Sequence, residues 1–143
     1  IEKLASIFKA LEQISKEKQV VLPLHPRTKA ILEKNNLKFN IKTIQPVGYF
    51  DMLELLKNCN LVVTDSGGLQ KEAFFNKKHC IIARDETEWV ELVENGFAKI
   101  VGSNQPEIYK AYQQFKNSSI SFNKKLYGDN VGEKMYNEIV RIC

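Results

Sequence analysis

The sequence predicts an α/β domain built on a parallel sheet. Short apolar, β-branched runs recur at intervals of about 20 residues, with amphipathic helical patterns between them. The runs are continuously apolar rather than alternating, which suits strands covered on both faces. At 143 residues the chain is the size of one domain, typically about 100–200 residues, with one core.

Leu4, Ile7, Phe8, Leu11 and Ile14 recur at helical spacing and predict a helix over residues 2–16. Val20 to Leu24 is the first strand. Pro26 follows where a helix can open, because a first-turn N–H is not needed there. That helix runs over 27–35 and stops at Asn35-Asn36, before a second strand at Ile41 to Ile44. After the turn Pro46-Val47-Gly48, Tyr49, Met52, Leu53, Leu55 and Leu56 form the next helix. Leu61 to Thr64 is the third strand; Asp65-Ser66-Gly67-Gly68 leads into a helix over 68–76. Cys80 to Ala83 and Ala98 to Val101 are the last strands, with a helix over 87–95 between them that Gly96 stops. Pro106 opens a helix to about 116, a polar loop spans Asn117 to Asn130, and residues 131–142 form the last helix. The whole is one Rossmann-like unit, a parallel sheet flanked by helices.

Composition excludes several function classes. Apolar residues make up 43% and charged residues 27%, as in ordinary globular chains, so disorder is not expected. The longest apolar runs fall far short of the ~20 residues of a membrane span. No charged segment followed by an apolar one opens the chain, so no signal peptide is expected. The chain begins at Ile1 within a helical pattern and reads as part of something longer. Net charge is +4, with lysines scattered among acids rather than gathered in a stripe, so nucleic acid is not an expected partner. Cys59, Cys80 and Cys143 form no CxxC pair, and free thiols point to a reducing, cytoplasmic setting. With only His25 and His79 and no ligand spacing, no metal is expected.

In parallel sheets, ligands bind beyond the carboxyl ends of the strands. Three polar segments fall there: His25-Pro26-Arg27-Thr28, Thr64 to Gly68, and Arg84-Asp85-Glu86-Thr87-Glu88. Gly67 and Gly68 let a ligand approach the backbone closely, and the first-turn N–H groups of the following helix favour a phosphate. Ser66 adds a hydroxyl donor. Glu72, one turn deeper, suits the two hydroxyls of a ribose, and Arg84 can face a diphosphate. Phosphate on the amides and sugar on the carboxylate describe a nucleotide. The same residues also fit an ordinary tight strand-to-helix loop with Ser66 as helix cap. Neither GxGxxG nor the loop ending in Gly-Lys-Ser/Thr is present. His25 fits either a ligand-facing or a structural imidazole, and His79, after Lys77-Lys78, reads as surface. Trp89, the only tryptophan, starts a helix as a packing anchor or as a wall of the site. Glu88, Glu91 and Glu94 read as an acidic helix face, and Lys16-Glu17-Lys18 as plain surface.

The run Leu61 to Ala73, followed by Ile81 to Glu88, with His25-Pro26-Arg27-Thr28 and Pro46-Val47-Gly48-Tyr49 before it, resembles the non-hydrolysing UDP-N-acetylglucosamine 2-epimerases. The resemblance covers nearly the whole chain. It implies the C-terminal, UDP-binding domain of a glycosyltransferase-B-like fold, residues 1–143, with the N-terminal catalytic domain absent. Such enzymes invert C2 of a UDP-linked N-acetyl sugar by eliminating UDP to a 2-acetamidoglucal and adding it back on the other face. On this resemblance Ser66, Gly67 and Gly68 contact the diphosphate and Glu72 the ribose. His25 lies near the substrate or a regulatory nucleotide, and Arg84 and Thr87 complete the UDP site. No cofactor is implied. The expected partners are a UDP-sugar, the missing domain and, for the longer protein, a second copy.

Two departures stand out. The family often has Thr-Glu-Arg-Pro-Glu where this chain has Thr87-Glu88-Trp89-Val90-Glu91, a version resembling the branch that acts on UDP-diacetamido-glucuronic acid. Leu126-Tyr127-Gly128-Asp129-Asn130 also differs from the usual Tyr-Gly-Asp-Gly. Since the family's acid/base carboxylates belong to its first domain, this chain alone is expected to bind UDP weakly without epimerising it. The alternatives are the nucleotide-binding half of a glycosyltransferase of the same architecture, and a non-catalytic flavodoxin-like module.

Overall fold

The computed structural model describes residues 1–142; Cys143 lies outside them. Among the described residues, seven helices and five strands follow in the order α1 (Glu2–Ser15), β1 (Val21–Pro23), α2 (Pro26–Lys34), β2 (Lys42–Ile44), α3 (Tyr49–Asn58), β3 (Leu61–Thr64), α4 (Gly67–Phe75), β4 (His79–Ile82), α5 (Val90–Glu94), β5 (Ala98–Ile100), α6 (Gln105–Lys116) and α7 (Val131–Ile142). All strand pairs are parallel.

The strands form two sheets, β1-β2 and β3-β4-β5, rather than the single expected sheet. Val21 pairs with Lys42 in the first, while Leu61 pairs with His79 and Cys80 with Ala98 in the second. Val20 still packs against the same apolar cluster as Leu61 and Val63, so side chains bridge the gap that hydrogen bonds do not. The expectation that the first strand is covered on both faces fails: Val21 is exposed. Its partner strand carries exposed Lys42 and Thr43, consecutive residues that point to opposite faces, so neither face of the pair is fully covered.

The three-stranded sheet is covered on both faces. Ile81 points with Leu61 and Val63 into a cluster with Ala10 and Ile14 of α1 and Ile108, Ala111, Tyr112 and Phe115 of α6. Cys80 and Ile82 point with Val62 the other way, onto Leu56 of α3, Ala73 of α4 and Leu92 of α5. This is strand alternation with both faces buried, and it makes β4 the centre of the core. Glu17, read as plain surface, ties the end of α1 to α6 through Tyr109, Gln113 and Lys116.

His79 also differs from the sequence reading. It is 8% exposed, the first residue of β4, and its ring stacks on Phe115 at 4.4 Å and 7°. Lys77 adopts a left-handed backbone (φ 57°) and Lys78 reaches back to the Lys57 carbonyl, so the chain turns the imidazole inward. Helix α5 is shorter than the expected 87–95, and Gly96 (φ 75°) ends it as expected. Glu88 lies ahead of α5, so the acidic face is confined to Glu91 and Glu94. Helix α7 buries no residue; Val131, Met135, Tyr136, Ile139 and Val140 are all exposed.

Candidate functional site at the start of α4

The chain leaves β3 at Thr64, whose buried hydroxyl accepts a hydrogen bond from the Ser66 N–H at 3.0 Å. Ser66 is extended and Gly67 opens α4. Ser66 occupies the cap position, yet its side chain makes no capping bond, and no acidic residue sits in the first turn. The first N–H groups of α4 therefore have neither a side-chain cap nor a carboxylate of their own turn, at the positive end of the helix dipole. Ser66 and Gly68 are exposed and Gly67 half-buried.

Glu72 lies on the same helix, half-buried. The hydroxyl of Tyr49, the first residue of α3, donates to Glu72 Oε1 at 3.0 Å. Accepting that bond, Glu72 pushes the phenol's pKa up, with burial adding to it. In the sequence Tyr49 is legible as a helix start and as the end of the Pro46-Val47-Gly48-Tyr49 motif, but not as a partner of Glu72.

The segment after β4 closes over the turn. Arg84 donates to both carboxylate oxygens of Glu88, at 3.0 and 3.4 Å. Glu88's own backbone amide, and then Arg84, hold its carboxyl below the usual range. A Cβ on Gly67 would stand 3.0 Å from Glu88 Oε2 and 3.7 Å from Trp89 Nε1, so this glycine permits a close crossing of the two segments. Thr87 donates to Gln70 Oε1 at 2.5 Å and accepts from the Trp89 N–H at 3.1 Å. Trp89 Nε1 donates to the Gly67 carbonyl at 2.8 Å.

Ser66, Gly67, Gly68, Glu72, Arg84 and Thr87 thus share one locus, the junction of β3, α4 and the β4–α5 loop. His25 does not join it through any hydrogen bond among the described residues. It is exposed, and its Nδ1 accepts from the Arg27 N–H at 3.2 Å, capping α2. Gln70, fully buried with Nε2 lacking a partner among the described residues, Lys71 and Tyr127 are participants that sequence spacing did not reveal. A depression of 470 Å³ lined by Lys9, Glu12, Lys16 and Tyr109 shares no residue with this locus. Among the described residues, no group of three or more His, Cys, Asp or Glu could hold a metal ion. Among these same residues, no helix is long and apolar enough to cross a membrane.

The family described as UDP-N-acetylglucosamine 2-epimerase matches residues 1–141. The chain is 46% identical over 127 residues to a UDP-2,3-diacetamido-2,3-dideoxy-D-glucuronate 2-epimerase of Pseudomonas aeruginosa, covering 88% of this chain and 36% of that protein. It is 38% identical over 146 residues to a UDP-N-acetylglucosamine 2-epimerase homolog of Methanococcus maripaludis, covering 98% of this chain and 40% of that one. The crystal structure of the Methanocaldococcus jannaschii UDP-GlcNAc 2-epimerase in complex with UDP-GlcNAc and UDP superposes with a TM-score of 0.87 at 37% identity, over 99% of this chain and 41% of the other. The chain therefore spans well under half the length of these relatives. The expected fold class holds: parallel sheets flanked by helices, as in these enzymes of glycosyltransferase-B-like fold. A match along nearly its full length, together with these relatives, means that the chain belongs to the UDP-N-acetylglucosamine 2-epimerase family.

Proposed function

We propose that residues 1–143 are the UDP-binding domain of a UDP-sugar 2-epimerase, and that the start of α4 holds the nucleotide. The observation that carries this reading is the uncapped Gly67-Gly68 helix start with Glu72 one turn further on, its Oε1 already bonded by Tyr49. Ser66 and the Gly67 and Gly68 amides take the diphosphate, Glu72 the ribose hydroxyls, and Arg84 and Thr87 border the phosphates. His25 is assigned to the sugar side or to a second nucleotide.

In the family's elimination step the C2 proton is removed and the C1–O bond breaks. Its electron pair goes to the departing UDP, leaving a C1–C2 double bond. Negative charge then grows on the β-phosphate, so fixed donors aimed at it favour departure more than they favour the bound sugar nucleotide. The proton-transfer groups belong to the rest of the enzyme. The substrate assigned is a UDP-N-acetyl sugar; the 46% identity to the Pseudomonas aeruginosa enzyme, with the resemblance of the Glu86–Val90 loop to that branch, favours an acidic diacetamido sugar. The longer protein is assigned to the cytoplasm as a homodimer.

Calorimetry with UDP, UMP and FMN, repeated with Glu72→Ala, tests the reading. UDP is expected to bind, FMN not to, and Glu72→Ala to weaken UDP. UDP affinity unchanged in that variant overturns the ribose assignment. The 143 residues alone are expected to yield no epimer or glucal by proton NMR; clear turnover would sink the assignment of the chemistry to the remainder of the enzyme.

A further inference from the structure

We propose that Trp89 is a positioning residue for the diphosphate: its indole N–H fixes the Gly67–Gly68 peptide so that the Gly68 N–H faces the ligand. This inference rests on the nucleotide reading above. A trans peptide is planar, with its C=O and N–H on opposite sides, so holding the carbonyl at one edge aims the N–H at the other. Trp89 Nε1 holds the Gly67 carbonyl at 2.8 Å. The amide of that same peptide belongs to Gly68, in the first turn of α4, where N–H groups have no partner within the helix.

The need for such a clamp follows from the glycines. A peptide between two glycines reorients at little steric cost, because neither flanking residue restricts its dihedrals with a Cβ. The freedom that lets the backbone approach a phosphate also lets the donor point away from it. Side chains cannot supply the restraint from within the turn. Within α4 the Gly67 carbonyl also faces the N–H four residues on, and Trp89 adds a second donor to it from across the fold, 22 residues along the chain.

Trp89 is itself braced. Its backbone N–H is bonded to Thr87 Oγ1, and Thr87 is bonded to buried Gln70 of α4. The ammonium of Lys71 lies 4.2 Å from the indole ring centre and 4.4 Å from that of Tyr127. Such a cation held against two aromatic faces limits ring motion. Glu91, whose carboxyl is held below its usual range first by Tyr127, stands beside the same group. Gln70 and Lys71 belong to the helix that Gly67 begins, so α4 carries both the turn and two of the groups that hold its clamp. A donor that must stabilise growing charge gains most when it is already oriented, because no reorganisation is needed during reaction.

The test compares UDP with uridine on the wild-type chain and on Trp89→Phe, which keeps an aromatic ring for Lys71 and Tyr127 but removes the N–H. Calorimetry is expected to show UDP affinity falling about fivefold, the scale of one hydrogen bond, with uridine affinity unchanged. Because Trp89 is the only tryptophan, its indole N–H gives a single cross-peak in a proton–nitrogen spectrum. In the wild type that proton is expected to exchange more slowly with UDP bound and at its free rate with uridine bound. Equal loss of UDP and uridine binding in Trp89→Phe makes the residue merely structural and overturns the proposal. So does UDP affinity unchanged by the substitution, or indole exchange indifferent to UDP. Wild-type protein that binds neither ligand overturns the nucleotide reading and this inference with it; wild-type binding with a silent Trp89 overturns this inference alone.

Discussion

Tyr49 and Glu72, the first a helix start on α3 and the second on α4, meet through a 3.0 Å hydrogen bond that uses one carboxylate oxygen and leaves the other without a hydrogen bond among the described residues. A half-buried carboxylate held at one oxygen presents the second in a fixed direction, and two adjacent sugar hydroxyls can share it. Tyr49→Phe is therefore expected to weaken UDP about threefold to tenfold, the range of one hydrogen bond. Binding of 2′-deoxy-UDP should change less, since one hydroxyl is already missing. Equal losses for both nucleotides in calorimetry would remove Tyr49 from the ribose contact.

Arg84 sits at the edge of the turn with its charge shared with Glu88, their side chains 30% and 57% exposed. A pair this exposed adds little to stability, so its removal should leave the melting temperature nearly unchanged. A charge-assisted bond to a phosphate has more at stake. Arg84→Gln is expected to weaken UDP about tenfold or more while sparing uridine. Uridine affinity falling in parallel would mean that Arg84 shapes the loop rather than meeting the diphosphate.

What was legible in the sequence was local. Leu61 to Thr64 and Ala98 to Ile100 announce themselves as short apolar runs, and Gly67-Gly68 as a turn, because each signal lies within a few residues. The same holds for Gly96, whose left-handed backbone ends α5. The pairs that build the candidate site are not local. Tyr49 reaches Glu72 across 23 residues and Trp89 reaches Gly67 across 22, about one strand–helix unit in each case. No periodicity encodes which side chain of one unit faces the next. The two-sheet arrangement was hidden for a similar reason: Val20 to Leu24 is apolar enough for a central strand, but its partner Lys42-Thr43 faces water. Thr87, expected to border the ligand, is already committed on both sides to Gln70 and Trp89, a role only the packed helices create.

Cys80 is 1% exposed, and burial, then neighbouring Cys59, push its thiol up to about 12. Burial raises Cys59 as well. The thiolate is the reactive form, so almost none is present in the native protein at pH 8. Iodoacetamide at that pH is expected to leave Cys80 unlabelled until denaturant is added, as read by peptide mass mapping. Rapid native labelling of Cys80 would show that β4 opens far more readily than its packing implies.

His79 gives the fold a defined response to acid. Its ring lies between Phe115 at 4.4 Å and Phe122 at 5.0 Å, and Nδ1 faces the Phe97 carbonyl at 3.4 Å. Burial lowers its pKa, partly opposed by that carbonyl. The unfolded chain, with an ordinary imidazole near 6.5, then takes up the proton first as pH falls. Stability is fully present above that unfolded value, where both states are neutral. It is lost progressively as pH drops through the unfolded pKa towards the lower folded one. The melting temperature should therefore be lower at pH 5 than at pH 7.5. His79→Phe keeps a ring against Phe115 and removes the titration, so the difference between the two pH values should shrink. An acid response that survives unchanged in His79→Phe would assign it to other groups and leave the buried imidazole as a packing residue alone.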